Sequence, residues 1–278
     1  MSTVDIAVPR PRGPRTRLLG PLGTLARRRF QLTVRTPREL LVPLLTPIMF
    51  AVVIAPALKT ALHTGSGYES FVAIGTIGLL IPLNTMFAGL GVIVDRVSGA
   101  QRELLTAPIP RGLLVVGNLL VALAITALQV AVLVGVAVAR GIHFEATTGG
   151  LAWFAGVAAL FTVGMYGLAE ILANRVPRQE EYIARVPAIA ILPWFLAGAL
   201  FPITALPGFL NWIAKFLPLT HALALMRYGL ANDGTGLHAI WHMSNQSAMA
   251  GLSLAVLTVF ALLVTAASIR VFSRSVVQ

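Results

Sequence analysis

The residues able to carry chemistry in this chain are few, and their spacing excludes most familiar reactions. His238 and His242 in "HAIWH" stand one helical turn apart, the spacing of a zinc pair. Ala239, however, occupies the place where H-E-x-x-H needs its glutamate, and no third ligand is apparent, so a metalloprotease and a metal site are not expected. No serine lies in G-x-S-x-G, and the lack of cysteine removes disulfides, thiolate metal sites and thiol nucleophiles. The only lysines, Lys59 and Lys215, do not end a G-x-x-x-x-G-K-[ST] loop, so no nucleotide or other cofactor is expected on this chain. Glu170, in "YGLAEILANR", is a carboxylate inside an apolar run. A charge at that depth is costly, which reads either as structural pairing with Arg175 or Arg185 or as a place on a gate or substrate path. Asn84 and Gln129 read as interhelical hydrogen-bonding groups, and Glu180 and Glu181 as a partner contact or a solvated charge run.

The densest polar group is "DRVSGAQRELLTAPIPRG", residues 95 to 112, set between two long apolar runs. The pattern predicts a short amphipathic helix over about 95–107. Asp95 is expected to cap its start, and Pro108 and Pro110 to stop it before the next span. Leu104 and Leu105 are expected to be exposed anchors for the groove of a soluble partner, with Arg96, Arg102 and Glu103 setting register.

These residues must be positioned by membrane-spanning elements. The chain of 278 residues is 57% hydrophobic and 11% charged, with a mean hydropathy of +0.84. Ordinary soluble domains carry about a quarter charged residues. Apolar runs recur at 40–58, 71–94, 113–139, 151–173, 186–201 and 248–270, most of them long enough to cross roughly 30 Å of hydrocarbon as helices. The expected fold class is therefore an all-α polytopic membrane protein with six transmembrane helices. The fifth run is short and holds Pro187 and Pro193. The segment after it, broken by Pro202, Pro207 and Pro218, is expected to form short re-entrant external helices, followed by a polar external loop over 231–247.

The net charge of +11 follows the membrane rather than a nucleic acid, because the basic residues form no recognition motif. Arginines crowd the first forty residues and the loops after the second and fourth spans, whereas only Lys59, Arg140, Lys215 and Arg227 fall on the other side. This bias places both termini in the cytoplasm. Residues 1–17 read as a disordered cytoplasmic tail, and "LLGPLGTLARRRFQLTVRTPREL" as an amphipathic helix on an anionic leaflet. The first apolar run has no A-x-A ending and is expected to be a retained span. No repeat of 20 to 50 residues is visible.

Gly99, Glu103, the Leu104–Leu105 pair, Pro108, the Pro110–Arg111 pair and Gly117 together resemble the coupling helix of ABC-2 type permeases of the daunorubicin-resistance and polysaccharide-exporter kind. "LFPITALPGFLNWIAKFLPLTHALALMR" is similar to the external segment of the same family. The resemblance covers most of residues 18–275 and implies one ABC-2 type transmembrane domain, forming half of the pore of an ATP-driven exporter in the cell inner membrane. It implies pairing with a second permease copy or paralogue. It also implies docking of Asp95, Arg96, Gly99, Arg102, Glu103, Leu104, Leu105, Pro108 and Arg111 on a separate ABC ATPase, which holds the ATP and Mg. Asn84, Glu170, Phe201, Pro202, His221 and Arg227 are the expected gating or substrate-path residues, although His221 also reads as fixing the external helices. Met86, Phe87, Trp194, Phe195, Phe209 and Trp212 would suit a hydrophobic or amphipathic substrate such as a drug, an antibiotic or a lipid, or serve as packing and interface anchors. The alternatives are export of a polysaccharide or glycolipid, a membrane enzyme, and a non-transporting scaffold.

Overall fold

The computed structural model describes residues 19–63, 65, 67–106 and 110–275. The segment read as a disordered tail, 1–17, lies outside the described residues, as does Pro108. Among the described residues all regular structure is helical. Helix α1 (Leu19–Arg35) occupies the stretch read as an amphipathic helix. Its Leu25 packs against the bundle, while Phe30, Leu32 and Val34 are exposed. Helix α2 (Pro37–Met49), a π-helical stretch (Phe50–Ile54) and α3 (Ala55–Leu62) follow without a break. The first span is thus one long helix with a wider turn at its middle.

Helix α4 (Tyr68–Val97) is the centre of the molecule, packed by α1 and α2 and by α5 (Ala100–Thr106), α6 (Arg111–Ala139), α7 (Thr148–Arg175) and α8 (Gln179–Leu196). It is apolar all round, as a helix surrounded by others must be. Lipid tails are as apolar as leucine, so burial alone does not drive such packing; close approach and buried hydrogen bonds do. Trp194 and Tyr182 of α8 supply both. The Trp194 indole donates to the Gly75 carbonyl at 2.7 Å, and the Tyr182 hydroxyl donates to the Met86 carbonyl at 2.8 Å. Both side chains are fully buried.

Beyond α8 come a 3₁₀ turn (Ile203–Ala205), α9 (Gly208–Phe216), α10 (Pro218–Leu230), α11 (Thr235–Trp241) and α12 (Gln246–Ser275). Among the described residues five helices are long and apolar enough to cross a membrane, or six if α9 and α10, bent by 79° at their junction, count as one. Five of the expected runs match these helices; the fifth run, 186–201, does not. Helix α8 starts well before it, at Gln179, because Glu180 and Glu181 sit favourably in a first turn. It ends at Leu196 because Gly198 adopts φ +79°, a left-handed conformation that stops the helix. The segment expected to form short helices holds the 3₁₀ turn, α9 and α10, whereas the stretch expected to be a polar loop, 231–247, contains the helix α11 and the start of α12.

One end of the bundle gathers α1, α5 and the start of α6 with the last turns of α4, α7 and α12, and is rich in arginine. The opposite, far end holds the 140–147 loop, α9, α11 and an ion pair of 2.9 Å between Lys59 and Glu69.

Candidate functional site

At the basic end, the charged island divides between two helices. Asp95 and Arg96 belong to the last turn of α4, and Gly99, with φ +81°, makes the joint to the seven-residue α5. Asp95 therefore does not cap the short helix, contrary to expectation. Its carboxylate accepts from Arg28 at 3.0 Å and stands 3.5 Å from Arg29, both on α1. Arg29 is buried; it also donates to the Ala88 carbonyl at 2.8 Å, and its guanidinium lies where a Cβ on Gly91 would have to be. Arg96 turns the other way and caps the end of α7, donating to the carbonyls of Ala173 at 2.8 Å and Val176 at 2.6 Å. The last carbonyls of a helix lack internal partners, and a cation there satisfies them.

Arg102 and Glu103 project from α5 into the surroundings, and Val97 beside them is exposed. Leu104, expected as an exposed anchor, is half-buried and packs against the cluster of Leu114, Val115 and Phe272. A seven-residue helix next to a bundle turns its apolar residue inward, since the bundle offers apolar surface and water does not. Leu105 lies on α5, and Arg111 at the start of α6 donates to the Ser273 carbonyl at 3.1 Å, tying α6 to α12.

Inside the bundle, Glu170 is completely buried on α7. Of the two readings of Glu170, pairing with Arg175 or Arg185 does not occur. The Tyr166 hydroxyl donates to its Oε2 at 2.7 Å and the Asn174 amide to its Oε1 at 3.3 Å. Positions 166, 170 and 174 are four apart and share one helix face, so neutral donors on its own helix meet the carboxylate while Arg185 pairs with Glu181 at 3.9 Å. Asn84 of α4 hydrogen-bonds Thr126 of α6, which makes it an interhelical tie, and Gln129 is likewise buried.

At the far end, His221 lies between four elements. The Trp241 indole donates to Ser253 Oγ at 2.8 Å, Ser253 is 3.1 Å from His221 Nδ1, and His221 Nε2 is 2.9 Å from the Lys215 carbonyl. A neutral imidazole with its proton on Nε2 completes this relay and fixes α9, α10, α11 and α12 together. His238 and His242 stack edge to face at 5.9 Å, but His242 Nε2 meets Lys215 Nζ at 2.9 Å. No group of three or more metal-ligating side chains occurs among the described residues.

Arg227 of α10 is 4% exposed. One of its nitrogens, Nη2, donates to the carbonyls of Gly198 at 2.8 Å, Ala199 at 3.2 Å and Phe71 at 3.3 Å, and the guanidinium lies 3.5 Å above the Phe71 ring. It stands in the wall between two far-end cavities, of about 560 Å³ and about 400 Å³. Pro202 lines the smaller one, and Phe201 is exposed beside it.

The expected site residues thus form two groups at opposite ends, with Asn84 and Glu170 inside the bundle. The expected aromatic set also divides. Met86 and Trp194 are core residues, whereas Phe195 of α8 and Phe209 and Trp212 of α9 are exposed. Sequence reasoning missed Arg28 and Arg29 as partners of Asp95, and Thr220, a buried hydroxyl in the smaller cavity.

A family model described as ABC-2 type transporter matches residues 21–231. A putative transport permease ycf38 of Porphyra purpurea is 26% identical over 215 residues, covering 75% of this chain and 73% of the relative. Nodulation protein J of Bradyrhizobium diazoefficiens is 26% identical over 221 residues, 77% of each chain. Nodulation protein J of Rhizobium meliloti is 31% identical over a shorter stretch of 87 residues, 30% of this chain and 33% of that one. With its apolar spanning helices and a family match that runs from α1 through α10, this multi-pass membrane chain belongs to the ABC-2 type transporter family.

Proposed function

We propose that the chain is the membrane-spanning subunit of an ATP-driven exporter for a hydrophobic or amphipathic compound, with ATP hydrolysed on a separate ATPase subunit and a second permease completing the pore. The basic end then faces the cytoplasm, in keeping with its arginines. The observation that carries this reading is α5: a short helix at the basic end, presenting Arg102 and Glu103 outward and joined to the central helix α4 by a hydrogen-bonded turn at Gly99. A rigid lever of this kind passes movement of a docked soluble partner directly to α4. Arg96 couples the same point to α7, so two spans move together.

The substrate class is supported by a groove of about 450 Å³ between α6 and α7, lined by Val130, Val134, Leu151, Phe154 and small residues. Its only polar lining side chains are Thr126 and Thr162, which suits an apolar molecule.

The test is affinity capture of the tagged chain from gently solubilised native membranes, with partners identified by mass spectrometry. Charge reversal at the exposed pair (Arg102→Glu with Glu103→Arg) is preferred to any change at Leu104, whose packing within the bundle would confound the result. We expect a near-stoichiometric P-loop ATPase with the unaltered chain and at least about a tenfold loss with the reversed pair, the scale of one or two misplaced charges at an interface. Capture of the ATPase undiminished by the reversal would refute docking through α5, and its absence from both would refute the exporter reading.

A further inference from the structure

We infer that the smaller far-end cavity is a binding site for the anionic head of an amphiphile, held by Arg227 and Thr220. This deepens the proposed export of an amphipathic compound, and rests on that reading for the identity of the ligand as cargo.

Arg227 is a buried guanidinium with no carboxylate within ion-pair distance among the described residues. Its recorded partners are backbone carbonyls, all approached through Nη2, and the Phe71 ring; Nε–H has none. A buried cation is costly unless a counter-charge and hydrogen bonds offset its desolvation. Carbonyl dipoles, a ring and the more distant Asp233 carboxylate supply part of that, and the part left over is an oxyanion in direct contact.

The two cavities beside Arg227 differ in sign. The larger one carries Glu69, Glu145 and Asp233 against Lys59, which pairs with Glu69, so two carboxylates, Glu145 and Asp233, are left to disfavour an anion there. The smaller one has no carboxylate in its lining, and carries Thr220, His238 and His242. Thr220 Oγ1 is buried and without a partner, so a second donor stands idle in the same wall. Phe71, Ala197, Ile203, Ala224 and Ala239 complete a mostly apolar surface. A volume of about 400 Å³ holds an acidic head and a short apolar stretch, but not a two-chain lipid. The ligand chemistry is therefore a carboxylate or phosphate on an apolar body.

The probe is a diazirine-bearing decanoic acid, with its neutral primary amide as control, photolysed with the purified full chain in zwitterionic nanodiscs. Labelled residues are mapped by mass spectrometry. We expect the acid to label residues 197–204 and 235–242 at least about tenfold more than the amide, the discrimination one charge-assisted contact provides. Thr220→Val should reduce acid labelling about tenfold, while Arg227→Gln should abolish the difference between acid and amide. Equal labelling by acid and amide, or acid labelling unaffected by Thr220→Val, overturns the site. Suppression by phosphatidylglycerol in the disc, its head in the cavity and its two chains left outside, would overturn the assignment to cargo and give the same anion chemistry to a bilayer lipid. Because ATPase capture does not involve this cavity, a failed site with intact capture leaves the exporter reading standing, and failed capture with intact labelling does the reverse.

Discussion

Asp95 is the residue whose removal tests most directly how the basic end is held together. Its side chain is 13% exposed and that of Arg29 is 9%, while Arg28 is 35% exposed. When Asp95 is replaced by Asn, Arg28 can turn to water. Arg29 cannot, because it lies across Gly91 with the Ala88 carbonyl as its remaining recorded hydrogen-bond acceptor. Stranding one member of a fully buried pair costs about 3–5 kcal/mol, and the share carried by the more exposed Arg28 is screened, so we expect a loss of about 2–3 kcal/mol. For a chain of this size each kcal/mol moves a thermal midpoint by roughly 2–4 °C, which puts Asp95→Asn roughly 5–10 °C below the unaltered protein. Adding Arg29→Met should restore most of the loss, since two neutral side chains leave no stranded charge. Thermal unfolding followed by far-ultraviolet circular dichroism in nanodiscs, run as a double-mutant cycle, measures both. A midpoint for Asp95→Asn within about 1 °C of the original, or a double variant no more stable than the single one, would refute the reasoning.

Two further outcomes follow from local geometry. Tyr166→Phe removes the shorter of the two hydrogen bonds to the buried Glu170 carboxylate and should cost about 1–3 kcal/mol. Glu170→Gln, which still accepts from Tyr166, should cost less; the order of the two thermal midpoints decides. Gly198→Ala forces a side chain into a left-handed conformation and against Ile203, for a loss of roughly 1–2 kcal/mol. It should speed proteolytic cutting within residues 197–207, and an unchanged rate would count against the strain.

Most of the architecture was legible because hydrocarbon thickness dictates helix length, and apolar runs such as 113–139 and 248–270 announce it directly. The charged residues at the end of α4 and inside α7 were legible in the sequence, but their pairing was not. Asp95 looked like a helix cap because acids favour that position, yet nothing local shows that the preceding helix continues through Arg96. Its partners lie 67 and 66 residues upstream, and only packing brings them near. Leu104 was misread for a related reason: a seven-residue helix has no periodicity long enough to reveal its inward face. Glu170 is the contrary case, because Tyr166 and Asn174 stand four residues to either side and the local pattern already contained the answer. The fifth span depended on a backbone turn at Gly198, which composition does not record.

The seat of α1 also sets a timetable for synthesis. Helix α1 leaves the ribosome before the residues that receive it: Ala88, Gly91 and Asp95 on α4 and Gly117 on α6, against which Leu25 packs. Chains emerge from the N-terminus onward, so α1 must wait while three more spans, ending with α6, are translated and inserted. Phe30, Leu32 and Val34 give it somewhere to wait, on the lipid surface beside the entering helices. It locks only when α4 has arrived with Asp95 at the depth of Arg28 and Arg29. A helix made before the central one is fastened only after it, and its fastening reports that the central helix entered in register.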